Sequence, residues 1–260
     1  MKISSQIKQR ITLGILILAA LALSTNWILR TPAGCQSKVF AVGASVCHQI
    51  PSHSFLNTDL QFPLCARCTG LYLGSAIGIA YFFTQGKKNL FPKKSILFLL
   101  LLLFLLWAGD GVNSFIIALL NKNLIYETTN FTRLVTGFGM GLAMATVLMT
   151  LFNMTTWKEG VAQPFLDHWQ QIAGYALAAS LTGYLLINSS AFFFKVFAYI
   201  SIGAVLFIIS MLYSIFWIIL MRKENSFSSW RSLGVFLIAG FSTAMLQVTL
   251  LYWLRASLLQ

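Results

Sequence analysis

Apolar residues in this chain fall into seven long runs joined by short polar connections. The runs are Ile11–Leu29, Pro63–Phe83, Ile96–Leu119, Phe131–Phe152, Trp169–Ile187, Phe192–Leu220 and Leu233–Leu254. A helix needs roughly 20 apolar residues to cross a hydrocarbon core. None of the runs alternates apolar with polar positions as a barrel strand would. The pattern predicts an all-α fold, a polytopic bundle of seven transmembrane helices. No connection is long enough for a separate soluble domain, so 1–260 reads as one integral membrane domain. Within it, 30–62 form a polar loop, 63–152 form the spans with most of the polar chemistry, and 153–260 form accessory spans.

Composition agrees. Hydrophobic residues make up 58% of the chain and charged residues 9%, against roughly 25% charged in soluble domains. That excludes a soluble enzyme, a coiled coil and a disordered chain. The formal net charge of +12 is a topology signal and does not point to nucleic acid. One side carries Lys2, Lys8, Arg10, Lys87, Lys88, Lys93, Lys94, Lys158, Arg222, Lys223 and Arg231. The other carries the fewer Arg30, Lys38, Arg67, Lys122, Arg133, Lys195 and Arg255. The positive-inside rule then puts the N-terminus in and the C-terminus out. It also places the 30–62 loop on the non-cytoplasmic face of the plasma membrane, the cell inner membrane. Polybasic inner loops also attract anionic membrane lipids.

The first run has a basic start and an Ala20-Leu21-Ala22 pattern that suits signal cleavage. Ala33-Gly34-Cys35 faintly suggests a lipoprotein site, although Pro32 stands where an aliphatic residue belongs. The apolar run continues to Leu29, so an uncleaved anchor is the expectation.

The candidate chemistry is concentrated around the polar loop. All four cysteines (Cys35, Cys47, Cys65 and Cys68) lie in or beside it, as do His48, His53, Asp59 and Arg67. Cys65-Ala66-Arg67-Cys68 is a CxxC, whose turn directs two sulfurs toward one point, as zinc sites require. Cys47 and His48 could complete a tetrahedral set, with Cys35 as a spare ligand. Three readings stand open. The first is a metal site on Cys47, His48, Cys65 and Cys68, zinc by the softness of thiolate and imidazole donors. The second is a thiol–disulfide pair, in which Arg67 would lower a thiol pKa. The third is structural disulfides outside the cytoplasm. Haem attachment is disfavoured because Thr69, not His, follows the CxxC.

At these residues the chain resembles a known family. Cys47-His48-Gln49-Ile50-Pro51, Ser54-Phe55 and Pro63-Leu64-Cys65-Ala66-Arg67-Cys68-Thr69-Gly70-Leu71-Tyr72-Leu73-Gly74 look like the signature of the membrane family catalogued as domain of unknown function 2085. Gly109-Asp110-Gly111 and Glu127-Thr128-Thr129-Asn130-Phe131-Thr132-Arg133-Leu134-Val135-Thr136-Gly137 fit a second block. The resemblance covers roughly residues 40–145. His53 departs from the Arg expected before Ser-Phe, and Cys35 is extra to the pattern. The resemblance implies a multi-spanning membrane protein centred on these positions, and it supplies no reaction.

Ionisable groups at membrane depth are costly and are usually paired or functional. Trp107, Asp110, Asn113 and Ser114 share one face of the third run, and Asn130, Arg133 and Gly137 share a face beyond Glu127. In the expected topology these groups lie at the depth of the CxxC, with Asp110 and Arg133 expected to pair. Gly70, Gly74 and Gly78, and Gly137, Gly141 and Ala145, recur every four residues, which predicts close approach of the second and fourth runs.

Four functions remain open. One is an outward-facing membrane enzyme in which zinc polarises an oxygen or activates water. Asp110 or Glu127 would be its base, Arg67 and Arg133 would hold an anionic head group, and the substrate would be a lipid or lipid-linked group. Another is a quinone-linked thiol–disulfide oxidoreductase, similar in plan to membrane disulfide-forming enzymes. A transporter lined by Asp110, Glu127 and Arg133 is the third, and a scaffold is the fourth.

Overall fold

The computed structural model describes residues 5–57, 60–120, 126–188 and 190–258, with side chains from residue 11 onward. Lys2, Asp59 and Lys122 lie outside the described residues. Among the described residues, eight α-helices carry the chain: α1 (Ser5–Arg30), α2 (Cys35–Ala44), α3 (Ala66–Thr84), α4 (Lys94–Leu120), α5 (Asn130–Thr156), α6 (Trp169–Asn188), α7 (Ala191–Leu220) and α8 (Trp230–Leu258). Four short strands join them: β1 (Ser54–Asn57), β2 (Leu60–Cys65), β3 (Lys88–Leu90) and β4 (Val161–Pro164). All seven apolar runs are helical over most of their length. By length and apolarity alone, five helices qualify as membrane spans: α1 from Ile11, α4, α5, α7 and α8. The remaining two, α3 and α6, have 19 and 20 residues. Arg67 in α3, Gln170 and Gln171 in α6, and Gly, Ser and Thr in both lower their hydropathy, so five of the expected seven meet this criterion among the described residues.

Contacts divide the chain into two compact units. The first comprises Met1–Val46, Leu151–Gly160 and Val205–Gln260. In it α1 packs along α8, and the Arg30 guanidinium sits 5.7 Å from the Trp253 ring centre. Lys38 on α2 folds back to cap the end of α1. Its Nζ donates to the Ile28 carbonyl, an acceptor that the helix terminus leaves orphaned, and also to the Thr31 carbonyl at 2.8 Å and the Thr31 hydroxyl at 2.7 Å. Gly240 on α8 leaves room for the Ser210 and Ser214 turn of α7.

The second unit comprises Cys47–Thr150 and Val161–Ala204. Its core is the crossing of α3 and α5. A methyl on Gly70 would overlap the Leu134 carbonyl, and one on Gly137 would overlap that of Arg67. On Gly141 it would stand 2.6 Å from the Leu71 oxygen. The two small-residue stripes therefore meet backbone to backbone, as their spacing predicts. Thr129 caps α5 reciprocally with Thr132, each backbone N–H donating to the other's hydroxyl at 3.0 and 3.1 Å. Gly86, at φ 77°, follows the end of α3 in the left-handed conformation that such ends favour. β3 and β4 form a parallel pair, Lys88 opposite Val161.

The sequence pattern did not predict the antiparallel hairpin β1–β2, which pairs Ser54 with Cys65 and Leu56 with Gln61. The apolar run predicted to form the second span opens at Pro63, with Phe62 just before it. These residues instead form a buried strand, with Phe62 packed edge-on to Phe194 at 5.2 Å.

Candidate metal centre

The hairpin delivers the thiols. Cys65 ends β2 in extended conformation (φ −65°, ψ 157°) and α3 begins at Ala66. Cys68 follows in the first helical turn, so both CxxC sulfurs turn to the same side. Cys47 lies in the loop after α2. There Gln49 takes the left-handed conformation (φ 55°), uncommon for a residue with a side chain. The loop is tied to β2 twice. Gln49 Nε2 donates to the Pro63 carbonyl at 2.8 Å, and Gln61 Nε2 to the Gln49 carbonyl at 2.9 Å. So held, the Cys47 sulfur accepts the Cys65 backbone N–H at 3.1 Å.

The sulfurs of Cys47, Cys65 and Cys68 all lie within 4.8 Å of one another. A tetrahedral ion with bonds of about 2.3 Å sets its sulfurs ~3.8 Å apart, so closure needs shifts below about 1 Å. Cys47 and Cys65 are buried and Cys68 is half-buried. The Cys65 and Cys68 thiols hydrogen-bond to Cys47 and hold it well below the ordinary thiol range, against the opposing effect of burial. The donor set, three soft sulfurs with an N–H···S bond behind them, fits zinc or another thiophilic ion.

His48 is not among the converging residues. It is exposed, its Nδ1 accepts the Ile50 N–H at 3.1 Å, and its ring stands edge-on to His53 at 5.5 Å. Cys35 is an exposed free thiol at the start of α2 and is likewise not in the group.

Beside the thiols lies a buried polar cluster. Asp110, Asn113 and Ser114 are buried on one face of α4, as their spacing predicts, and Trp107 is half-buried. The expected partner of Asp110 was Arg133. The structure instead gives it Arg67, whose Nε donates to Oδ2 at 2.9 Å and whose Nη2 reaches both Oδ2 and the Asp110 carbonyl, the latter at 3.0 Å. The Tyr126 hydroxyl donates to the other carboxylate oxygen at 2.5 Å. Arg133 is held by neutral groups: Thr128 Oγ1 at 2.8 Å, Asn130 Oδ1 at 2.9 Å and Ser114 Oγ at 3.2 Å. Asn130 in turn donates to the Ser52 and Ser54 carbonyls at 3.2 and 3.3 Å, fastening the hairpin to α5. Glu127 is exposed.

Tyr126, Thr128 and His53 join this cluster unpredicted by helical spacing, although Thr128 stands within the second motif and His53 within the polar loop. Partial burial and the bond to Asp110 push the Tyr126 phenol up to about 12, so it acts as a neutral donor. Burial, and then the charges of Arg133, His48 and Arg67, push the His53 imidazole below its usual value.

These features define a helical membrane protein with a cysteine cluster able to hold a metal ion. The chain belongs to the family described as "Predicted membrane protein (DUF2085)", whose model matches residues 47–147. That segment opens on Cys47 and encloses all three converging cysteines with Arg67, Asp110 and Arg133. An uncharacterized protein of Methanothermobacter thermautotrophicus is 31% identical over 110 residues, which are 42% of this chain and 89% of the relative. One from Methanocaldococcus jannaschii is 27% identical over 121 residues, 46% of this chain and 72% of the relative. No solved structure matches the chain.

Proposed function

We propose that this protein is a membrane-embedded metalloenzyme, with zinc on Cys47, Cys65 and Cys68 and a lipid or lipid-linked group as substrate. The observation that carries the reading is the convergence of three sulfurs within 4.8 Å beside a buried cluster of charged side chains. Zinc held there would polarise a substrate oxygen or activate water. Both Asp110 carboxylate oxygens already accept hydrogen bonds, so Asp110 serves to position Arg67 and leaves Glu127 as the acid–base carboxylate. Arg67 and Arg133 orient the polar head of the substrate, and Asn130 locks the hairpin against them. Location at a bilayer surface favours a substrate with a lipid portion. In this reading α3 and α6 also cross the bilayer, giving seven spans. The thiols face away from the cytoplasm in the plasma membrane, by the distribution of lysine and arginine.

Metal analysis of the purified full-length protein tests the reading. Zinc is expected in stoichiometric amount, to be lost in Cys47→Ser, Cys65→Ser or Cys68→Ser and kept in Cys35→Ser. Metal-free protein with Cys65 and Cys68 joined by a disulfide would replace this reading with the quinone-linked dithiol reading.

A further inference from the structure

We infer that the metal centre draws three ligands from the described residues and that its fourth coordination position is open to an exogenous ligand. The inference rests on the metal reading above and specifies where the substrate's coordinating atom would bind. Among the described residues, the metal-competent group consists of Cys47, Cys65 and Cys68 alone. The nearest sequence candidate for a fourth ligand is His48. Its Nδ1 accepts the Ile50 N–H at 3.1 Å, and its ring is exposed and outside the converging group. Cys35 is exposed and outside the group. Zinc sites with four protein ligands are structural, and those with three keep a position for water or substrate.

The charges of the surroundings agree. Arg67 and Asp110 neutralise each other. Arg133 is buried, forms no ion pair among the described residues, and lies in electrostatic range of Cys65. A divalent ion on three thiolates carries one net negative charge, which Arg133 balances. A neutral fourth ligand, water at rest, keeps that balance, whereas a fourth thiolate would leave an uncompensated buried charge.

Cobalt(II) substitution of the reduced, full-length protein reads the fourth position directly. The visible ligand-field bands of tetrahedral cobalt are expected to form at one ion per chain and to shift in a saturable manner on titration with imidazole or azide. The His48→Gln variant is expected to show the wild-type spectrum and the same shift. Bands that neither probe moves would overturn the inference while leaving the metal reading intact. A spectrum that changes in His48→Gln would overturn it in favour of a closed site with three sulfurs and one nitrogen. Failure of any cobalt band to form would overturn the metal reading and this inference together.

Discussion

Arg67 grips Asp110 through two of its nitrogens, binding both the carboxylate and the backbone carbonyl of the same residue. The Asp110 side chain is fully buried and that of Arg67 is 16% exposed. Because Arg67 sits between the two cysteines of the CxxC, this ion pair fixes the first turn of α3 against α4. Removing one member of a buried pair typically costs about 3–5 kcal/mol, because the survivor is left charged and unpaired. Replacing both with apolar residues of similar size is often close to neutral. Asp110→Asn and Arg67→Met are each expected to lower thermal stability strongly, and Arg67→Met/Asp110→Leu to recover most of the loss. Melting temperatures in one detergent check this. A double variant as unstable as the worse single would show that the pair is not the source of the effect.

The α3–α5 crossing makes a second prediction. A Cβ at Gly137 would collide with the Arg67 backbone carbonyl, an atom that cannot rotate away. Overpacking of this kind costs typically about 1–3 kcal/mol. Gly137→Ala is expected to destabilise the protein and, by displacing Arg67, to weaken metal retention. Gly203→Ala, with nothing within 4 Å of the added carbon, is the control. It should lose neither. Equal melting temperatures and equal metal content in both variants would contradict the crossing.

How far the chain alone reveals this site depends on the range of each interaction. The CxxC and the stripes at Gly70, Gly74, Gly137 and Gly141 are set by local periodicity, and the structure bears out the close approach those stripes predict. The buried face of Asp110, Asn113 and Ser114 is legible for the same reason. The partner of Asp110 is not. Helical spacing places Arg133 and Asp110 at one depth, but the choice of arginine depends on where the first turn of α3 aims its side chains. The hairpin is hidden because Phe62-Pro63-Leu64 is apolar enough to continue a span. Only pairing with β1 reveals a strand, with Pro63 tolerated in a two-stranded sheet, where every strand is an edge. His48 was grouped with Cys47 by adjacency, yet the Gln49 turn directs the thiol inward while the imidazole stays exposed.

A pH dependence follows from His53. Its folded-state pKa lies below the ordinary histidine value of about 6.5. Between those two values the unfolded chain binds more protons than the folded one, so stability rises with pH through that window and falls as pH drops through it. The melting temperature is expected to decrease from pH 7 toward pH 5. His53→Gln, which removes the titrating group, should flatten part of that slope. An unchanged slope in the variant would assign the pH dependence to other groups.

Orientation is tested through Cys35, the exposed thiol at the start of α2. The lysines at 87, 88, 93 and 94 are the strongest inward signal in the chain, and by the positive-inside rule Cys35 then faces away from the cytoplasm. In a variant that keeps Cys35 but has Ser at 47, 65 and 68, a membrane-impermeant maleimide should label intact cells. In a background without native cysteines, Lys93→Cys should react only after permeabilisation, since Lys93 is exposed and the positive-inside rule assigns its loop to the cytoplasm. The reverse pattern would turn the protein over and put the three-sulfur site in the reducing cytoplasm. There a thiolate–metal centre would remain chemically reasonable, but a quinone-linked oxidant of outer proteins would not. The reverse labelling pattern would therefore exclude the quinone-linked chemistry without requiring a substrate.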